Sequence, residues 1–209
     1  MRQNIWNLVR WPLLGLLLMG IAFVLWQSPT ERTLGEKIRL IYVHVAMIWT
    51  GMLGISLAGL LGATVAYTEK AQLYRRALRL GWLGLVFLTA GNLLGMWVSK
   101  ITWGTYIAWE EPRTLAVLLF TGVALVAFSV SDGLESYRSK GLILVGLAIF
   151  LYIAMRTPLI LHPGDAARSS SASIRGTFFV MFALVGLIGG WFFWALEVAR
   201  RPRVSSGSY

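Results

Sequence analysis

Residues 40–67 read LIYVHVAMIWTGMLGISLAGLLGATVAY, a run that contains one histidine, His44, and no aspartate, glutamate, lysine or arginine. A transmembrane helix needs about 20 consecutive apolar residues, and this run is longer than that. Small residues recur along it at helical spacing, which suits close helix packing in lipid: Gly51, Gly54, Ser56, Gly59 and Gly62. The run therefore predicts a transmembrane helix, and we expect that helix to begin in the charged stretch 31–39.

The rest of the chain has the same character. Of its 209 residues, 57% are hydrophobic and 13% are charged, and its mean hydropathy is +0.68. These values lie outside the usual range of a soluble domain. Further apolar runs lie at about residues 11–26, 78–98, 114–130, 141–154 and 176–196. The sequence predicts an all-α polytopic membrane protein in which residues 1–209 form a single integral membrane domain with six transmembrane helices.

Polar segments separate the predicted helices. We expect a polar lead at residues 2–10, a stop at residues 27–30, a basic linker at 70–79, a polar hinge at 132–140 and a basic tail after residue 200. The first apolar run resembles a signal peptide but lacks the small-residue cleavage pattern after it, so we expect it to be retained as a helix.

Lysine and arginine indicate the orientation. They are more numerous on the side of the membrane that holds both termini in a six-helix topology, which predicts cytoplasmic termini. The net charge of +10 is then explained by contact with anionic headgroups of the lipid bilayer, and we expect no nucleic-acid partner. The chain has no cysteine, which excludes disulfides, thiolate metal sites and thioether attachment of haem to this chain.

One polar segment stands apart in composition. Residues 103–113 read WGTYIAWEEPR and fall in a predicted outer segment, residues 100–113, between helices three and four. We call residues 100–113 the tryptophan-rich segment. The two histidines map to the same outer side: His44 near the end of the second helix, and His162 in a predicted outer loop at 156–175 between helices five and six.

This combination suits haem. Haem iron accepts neutral imidazole nitrogen, aromatic rings can pack on the macrocycle, and arginine can pair with a propionate. Trp103, Tyr106 and Trp109 supply rings, Arg113 supplies a guanidinium, and Gly104 permits close approach. Two other interpretations stay open. The aromatic residues also fit an interfacial belt, and the histidines with Glu110 and Glu111 would be the ligands of a non-haem metal, although the His-Glu-x-x-His spacing is absent.

At these residues the sequence resembles a known family. WGTYIAWEEPR is similar to the tryptophan-rich signature of the haem-handling proteins of cytochrome c biogenesis, whose usual form is close to Trp-Gly-x-x-Trp-x-Trp-Asp. The segment KIRLIYVHVAMIW at residues 37–49 resembles more closely the C component of the cytochrome c maturation system. The resemblance runs from about residue 37 to residue 163.

The resemblance implies a function and a site. It implies that His44 and His162 are the axial ligands of a non-covalent haem b, and that Trp103, Gly104 and Trp109 form the haem platform, with Glu110 where aspartate is usual. Tyr106 and Arg113, named above for their ring and guanidinium, complete the predicted haem-binding surface. Such proteins sit in the bacterial cytoplasmic (inner) membrane, collect haem at its outer face and present it to a membrane-anchored haem chaperone. An ABC transporter of the same system then helps to release the loaded chaperone. The resemblance therefore implies a haem-transport protein that is not an enzyme.

The chain also departs from the family pattern. Ile107 stands where the family commonly has tryptophan, Glu110 stands in place of aspartate, and the arginine at 113 is displaced by about one residue. An alternative function is a quinone- or haem-binding electron-transfer subunit of a respiratory complex. A transporter is a weaker alternative, because Asn92 is the clearest polar residue deep in a predicted span.

Overall fold

The structure, a computed structural model, describes residues 2–32, 34–158 and 166–199, without the side chains of residues 2–7, 168 and 199. These residues form six α helices: α1 (Arg2–Gln27), α2 (Ile38–Thr68), α3 (Ala71–Trp103), α4 (Pro112–Gly133), α5 (Tyr137–Ala154) and α6 (Ala172–Ala199). A short 3-10 helix covers Ala166–Arg168. Each of the six α helices contains a segment long and apolar enough to cross a membrane. The all-α class and the six membrane-spanning helices are confirmed, and the chain is an integral membrane protein.

Several predicted connections are helical in the structure. The predicted polar lead at 2–10 belongs to α1. The prediction of a basic linker at 70–79 is wrong, because α3 already begins at Ala71. The hinge at 132–140 shrinks to residues 134–136. Lysine and arginine are good helix formers, and their long side chains can reach the headgroup region while the backbone stays helical. At these sites a charged stretch therefore does not mark the end of a helix.

The tryptophan-rich segment is shortened in the same way. Helix α3 continues to Trp103 and α4 begins at Pro112, so residues 104–111 are the connection between them. Gly104 caps α3 with φ +80°, and its N–H donates to the carbonyl of Lys100. This left-handed conformation suits glycine, which has no Cβ. Of the predicted outer loop at 156–175, residues 172–175 belong to α6, and His162 lies outside the described residues.

Helix α2 is the centre of the bundle and packs against α3, α5 and α6. Its glycines explain why. A Cβ added at Gly51 would lie 2.7 Å from the carbonyl oxygen of Gly84 on α3, and one added at Gly62 would lie 2.8 Å from that of Gly141 on α5. The predicted close packing through small residues is confirmed at these glycines, while Ser56 is exposed.

The apolar core lies on both sides of α2. One cluster joins α2 to α3, α4 and α5 around Leu88, Phe120 and Phe128. A second joins α2 to α6 around Tyr42 and Phe178. Many large apolar side chains on α1 and α4 stay exposed, as expected for helices whose outer faces contact lipid. With α2 and α3 in backbone contact, the residues near the end of α3 are held at a defined distance from the start of α2.

Candidate functional site

His44 lies in the second turn of α2 and faces α3. Its Nδ1 is 2.7 Å from the carbonyl oxygen of Gly91. A carbonyl can only accept a hydrogen bond, so Nδ1 carries the proton, and in the neutral imidazole Nε2 is then the unprotonated nitrogen. Histidines that bind metals through one nitrogen usually donate the other N–H to a carbonyl or carboxylate. The structure therefore gives His44 the tautomer that iron ligation through Nε2 requires.

Gly95 fixes the position of this imidazole from one side. A Cβ at Gly95 would lie 2.4 Å from His44 Cε1 and 2.8 Å from Nδ1, which is closer than real Cβ contacts come. The ring thus packs directly against the backbone of α3. Gly91 and Gly95 were not singled out in the sequence because they resemble the other small residues of the spans. Their spacing of four residues is visible in the sequence, but their position opposite His44 follows only from the way α2 and α3 are aligned.

A cleft joins His44 to the tryptophan-rich segment. Both Trp103 and Tyr106 line it together with the histidine, and residues of α3, α4 and the connection complete the wall: Asn92, Gly95, Met96, Ser99, Ile107, Ala108, Thr114 and Leu118. Its volume is about 60 Å³, which is room for a few water molecules, since one water needs roughly 10–15 Å³ of such space. A macrocycle would not be enclosed in a space of this size.

The aromatic side chains are exposed to different degrees. Trp103 is 38% exposed, Tyr106 is 48% exposed and Trp109 is 64% exposed. Tyr106 is held by two neighbours on α3, because its ring lies edge-on to that of Trp97 at 6.1 Å and the ammonium of Lys100 lies 5.3 Å from its centroid. Trp109 does not line the cleft. The structure thus brings Trp103 and Tyr106 to the cleft of His44 and leaves Trp109 on the surface.

The two acidic residues of the segment have opposite environments. Glu110 is exposed, whereas Glu111 is 0% exposed. Glu111 precedes α4, and its side chain does not cap that helix. Sequence reasoning singled out Glu110 and missed the burial of Glu111, because the two adjacent acids cannot be ranked by composition.

Arg113 lies in the first turn of α4 and reaches the end of α5. Its Nε and Nη2 donate to the carbonyl of Thr157 at 3.1 and 2.7 Å, and Nη2 also donates to the carbonyl of Met155 at 3.1 Å. These carbonyls follow the last residue of α5, where the helix dipole favours a cation. The guanidinium therefore ties the tryptophan-rich segment to the chain that leads towards His162. The assignment of a propionate to Arg113 stays a prediction.

The opposite end of the bundle is also polar. Glu197 of α6 pairs with Arg79 and with Arg76 of α3, with 3.4 Å between its Oε2 and Arg76 Nε. The hydroxyl of Tyr74 lies 3.0 Å from Ser131 Oγ in the buried interface between α3 and α4. Across residues 2–32, 34–158 and 166–199, no three histidine, aspartate or glutamate side chains converge on a common point.

Comparisons with known proteins identify relatives of the chain. The sequence model of a family described as Cytochrome C assembly protein matches residues 3–162. A protein of Marchantia polymorpha named "Putative cytochrome c biosynthesis ccmC-like mitochondrial protein" is 32% identical over 106 residues, which cover 49% of this chain and 45% of the relative. The chain thus spans less than half the length of this curated relative. The family match includes His44 and ends at His162.

Proposed function

The chain belongs to the Cytochrome C assembly protein family and so has a role in cytochrome c biogenesis; within that role we propose that it binds haem at one face of the membrane and presents it to a partner. Haem is here the cargo. The first supporting observation is the hydrogen bond between His44 Nδ1 and the carbonyl of Gly91, because it sets the tautomer in which Nε2 can ligate iron.

His44 and His162 are the proposed axial ligands of a non-covalent haem b. Ligation by two histidines occupies both axial positions of the iron, so dioxygen has no open coordination site until a partner displaces one ligand. The chain's own task is then to hold the cargo by ligating its iron, and no covalent bond of the macrocycle is made or broken by the side chains. This assigns the chain a transfer role and no enzymatic one.

The tryptophan-rich segment is the proposed surface for the macrocycle. Trp103 and Tyr106 line the cleft of His44. Gly104 places no side chain between them at the end of α3, and Trp109 extends the aromatic surface outward. Glu110 is exposed beside Trp109. Arg113 is the proposed partner of a propionate at the edge of this surface, and its Nε and Nη2 also donate to carbonyls at the end of α5. The ammonium of Lys100 lies over Tyr106 and is a second cation near the cleft for a propionate.

The proposed setting follows the family. We place the protein in a bacterial cytoplasmic (inner) membrane with the cleft on the outer face. The proposed partners are a membrane-anchored haem chaperone, which receives the haem, and the ABC transporter subunits of the cytochrome c maturation system. The excess of lysine and arginine on the side of the termini supports this orientation.

Transfer of intact haem is the test of this function. Haem-loaded protein in detergent is mixed with the soluble domain of an apo haem chaperone, and the two are separated before absorbance is read. We expect the Soret absorbance to move with the acceptor and a quinol to leave the bound iron unreduced. Haem that stays in place and is reduced by quinol would instead identify an electron-transfer subunit and contradict the proposal.

A further inference from the structure

Three residues on one face of α3 contact the two parts of the site, which are the His44 imidazole and the tryptophan-rich segment. Gly91, Gly95 and Ser99 are spaced four apart, so they stack on successive turns of the helix. Gly91 accepts the hydrogen bond of His44, and Gly95 contacts the His44 ring. Ser99 Oγ donates to the carbonyl of Thr105 at 2.6 Å. The same face thus touches the imidazole at two points and the tryptophan-rich segment at a third.

We propose that Ser99 is a positioning residue that holds the tryptophan-rich segment at a fixed distance from His44. This inference rests on the proposed haem function, and it names the group that orients the aromatic surface. Ser99 is 5% exposed and itself lines the cleft. Its acceptor lies two residues beyond the end of α3, where no helical N–H is available to the carbonyl.

The hydroxyl of Thr105 extends this restraint along the segment. Thr105 Oγ1 donates to the carbonyl of Ile107 at 3.1 Å, and the N–H of Trp109 donates to the same carbonyl at 3.1 Å. Ile107 and Ala108 line the cleft. A chain of hydrogen bonds therefore runs from α3 through the residues that face His44 and ends at the exposed Trp109.

Other contacts between α3 and the connection at residues 104–111 are weaker restraints. Lys100 donates to the carbonyl of Gly104 at 2.8 Å, but its ammonium is exposed, and an exposed polar contact competes with water. The ring of Trp97 touches Tyr106 and is also exposed. Ser99 is itself buried and its hydrogen bond is partly buried, so water competes less for this link than for the exposed ammonium of Lys100.

Thr102 provides a matched control. Its Oγ1 donates to the carbonyl of Val98 at 2.7 Å, which is within α3. The Thr102→Val variant therefore removes a hydroxyl near Ser99 without releasing the segment, whereas Ser99→Ala removes the link itself.

The first measurement uses the full-length protein without haem. Hydrogen exchange of residues 104–111 is followed by mass spectrometry in detergent for the wild type, Ser99→Ala and Thr102→Val. We expect exchange to be about tenfold faster in Ser99→Ala, a factor that corresponds to roughly 1.4 kcal/mol, and unchanged in Thr102→Val. Wild-type exchange in Ser99→Ala would overturn the proposal, whatever the protein binds.

The second measurement is haemin titration followed in the Soret region. We expect Ser99→Ala to weaken haemin binding by up to about tenfold relative to Thr102→Val, in line with the loss of one hydrogen bond, and Ser99→Thr to restore binding. Faster exchange with unaltered haemin binding would overturn the positioning role. If the wild type does not bind haemin, the proposed function fails, and the exchange comparison still decides whether Ser99 holds the segment.

Discussion

The two ends of the helix bundle use polar side chains differently. At the opposite end, where α3 begins, side chains pair with one another across helices, as Glu197 does with Arg79 and Arg76. At the cleft end, where α3 ends, the side chains of Ser99, Lys100 and Arg113 donate to backbone carbonyls. Side-chain pairs hold helices together, whereas donors to carbonyls fix the path of a connecting segment.

This difference explains how an exposed aromatic surface can have a defined shape. Trp103 belongs to α3, whereas Tyr106 and Trp109 lie on the connection after it and are 48% and 64% exposed. The backbone of that connection is held by hydrogen bonds from Ser99 and Lys100 of α3. The cleft end thus presents rings to a ligand on a fixed backbone, while the opposite end serves the stability of the bundle. Substitutions at the cleft end should consequently lower haem binding, and substitutions at the opposite end should lower the stability of the bundle.

The largest expected effect on haem is at Gly95. In Gly95→Ala the new methyl would meet His44 Cε1 at 2.4 Å and displace the ring from Gly91. We expect haem retention to fall by more than about tenfold, because overpacking of this kind costs about 1–3 kcal/mol. Haem content per protein after purification measures it.

Gly122 in α4 is the control for that change. A Cβ there meets nothing within 4 Å, so Gly122→Ala adds the same methyl in open space and should be neutral or slightly stabilising. Equal haem loss in both variants would show that the glycine at 95 has no special relation to His44.

The opposite end should respond with a loss of stability. Glu197→Gln removes the charge that Arg79 and Arg76 share across α3 and α6. We expect a loss of about 1.5–3 kcal/mol, the range for hydrogen bonds to charged groups, with haem content per folded protein unchanged. Denaturant unfolding in detergent measures it. The exposed Glu135 gives a control, since Glu135→Gln should stay within about 0.5 kcal/mol. Haem loss in Glu197→Gln at unchanged stability would contradict the separation of the two ends.

The smallest expected effect is at Trp109, the outermost ring. Trp109→Ala removes aromatic contact area without disturbing the cleft, so we expect haem affinity to fall about threefold, in line with roughly 0.5–1.5 kcal/mol for an aromatic contact. Haemin titration measures it, with Trp26→Ala at the exposed end of α1 as the control. A loss as large as that of Gly95→Ala would mean that Trp109, not the cleft, dominates binding.

Much of the fold could be predicted from the sequence. Six apolar runs predict six spans because the bilayer sets a length, and the glycines of residues 40–67 predict close packing that the contact of Gly51 with Gly84 confirms. The helix ends were less accurate, as at Ala71 and Trp103. Apolarity reports where a helix lies in lipid, and a helix may continue beyond lipid through lysine, arginine and tryptophan.

The candidate site was only partly predictable. Topology placed His44 on the same side as the tryptophan-rich segment, and both line one cleft. The hydrogen bond to Gly91 depends on how α2 and α3 are aligned, which a single sequence does not encode in any local pattern. For the same reason the contacts of Arg113 with Thr157 and the burial of Glu111 were missed. Orientation in the membrane stays a prediction.

The visible spectrum of the purified protein tests the central claim most directly. The wild type, His44→Ala and His162→Ala are expressed with sufficient haem, purified in detergent and compared at equal protein concentration. We predict a low-spin haem spectrum in the wild type that is lost or converted to high spin in both variants. A wild type without haem, or an unchanged low-spin spectrum in both variants, would contradict the account.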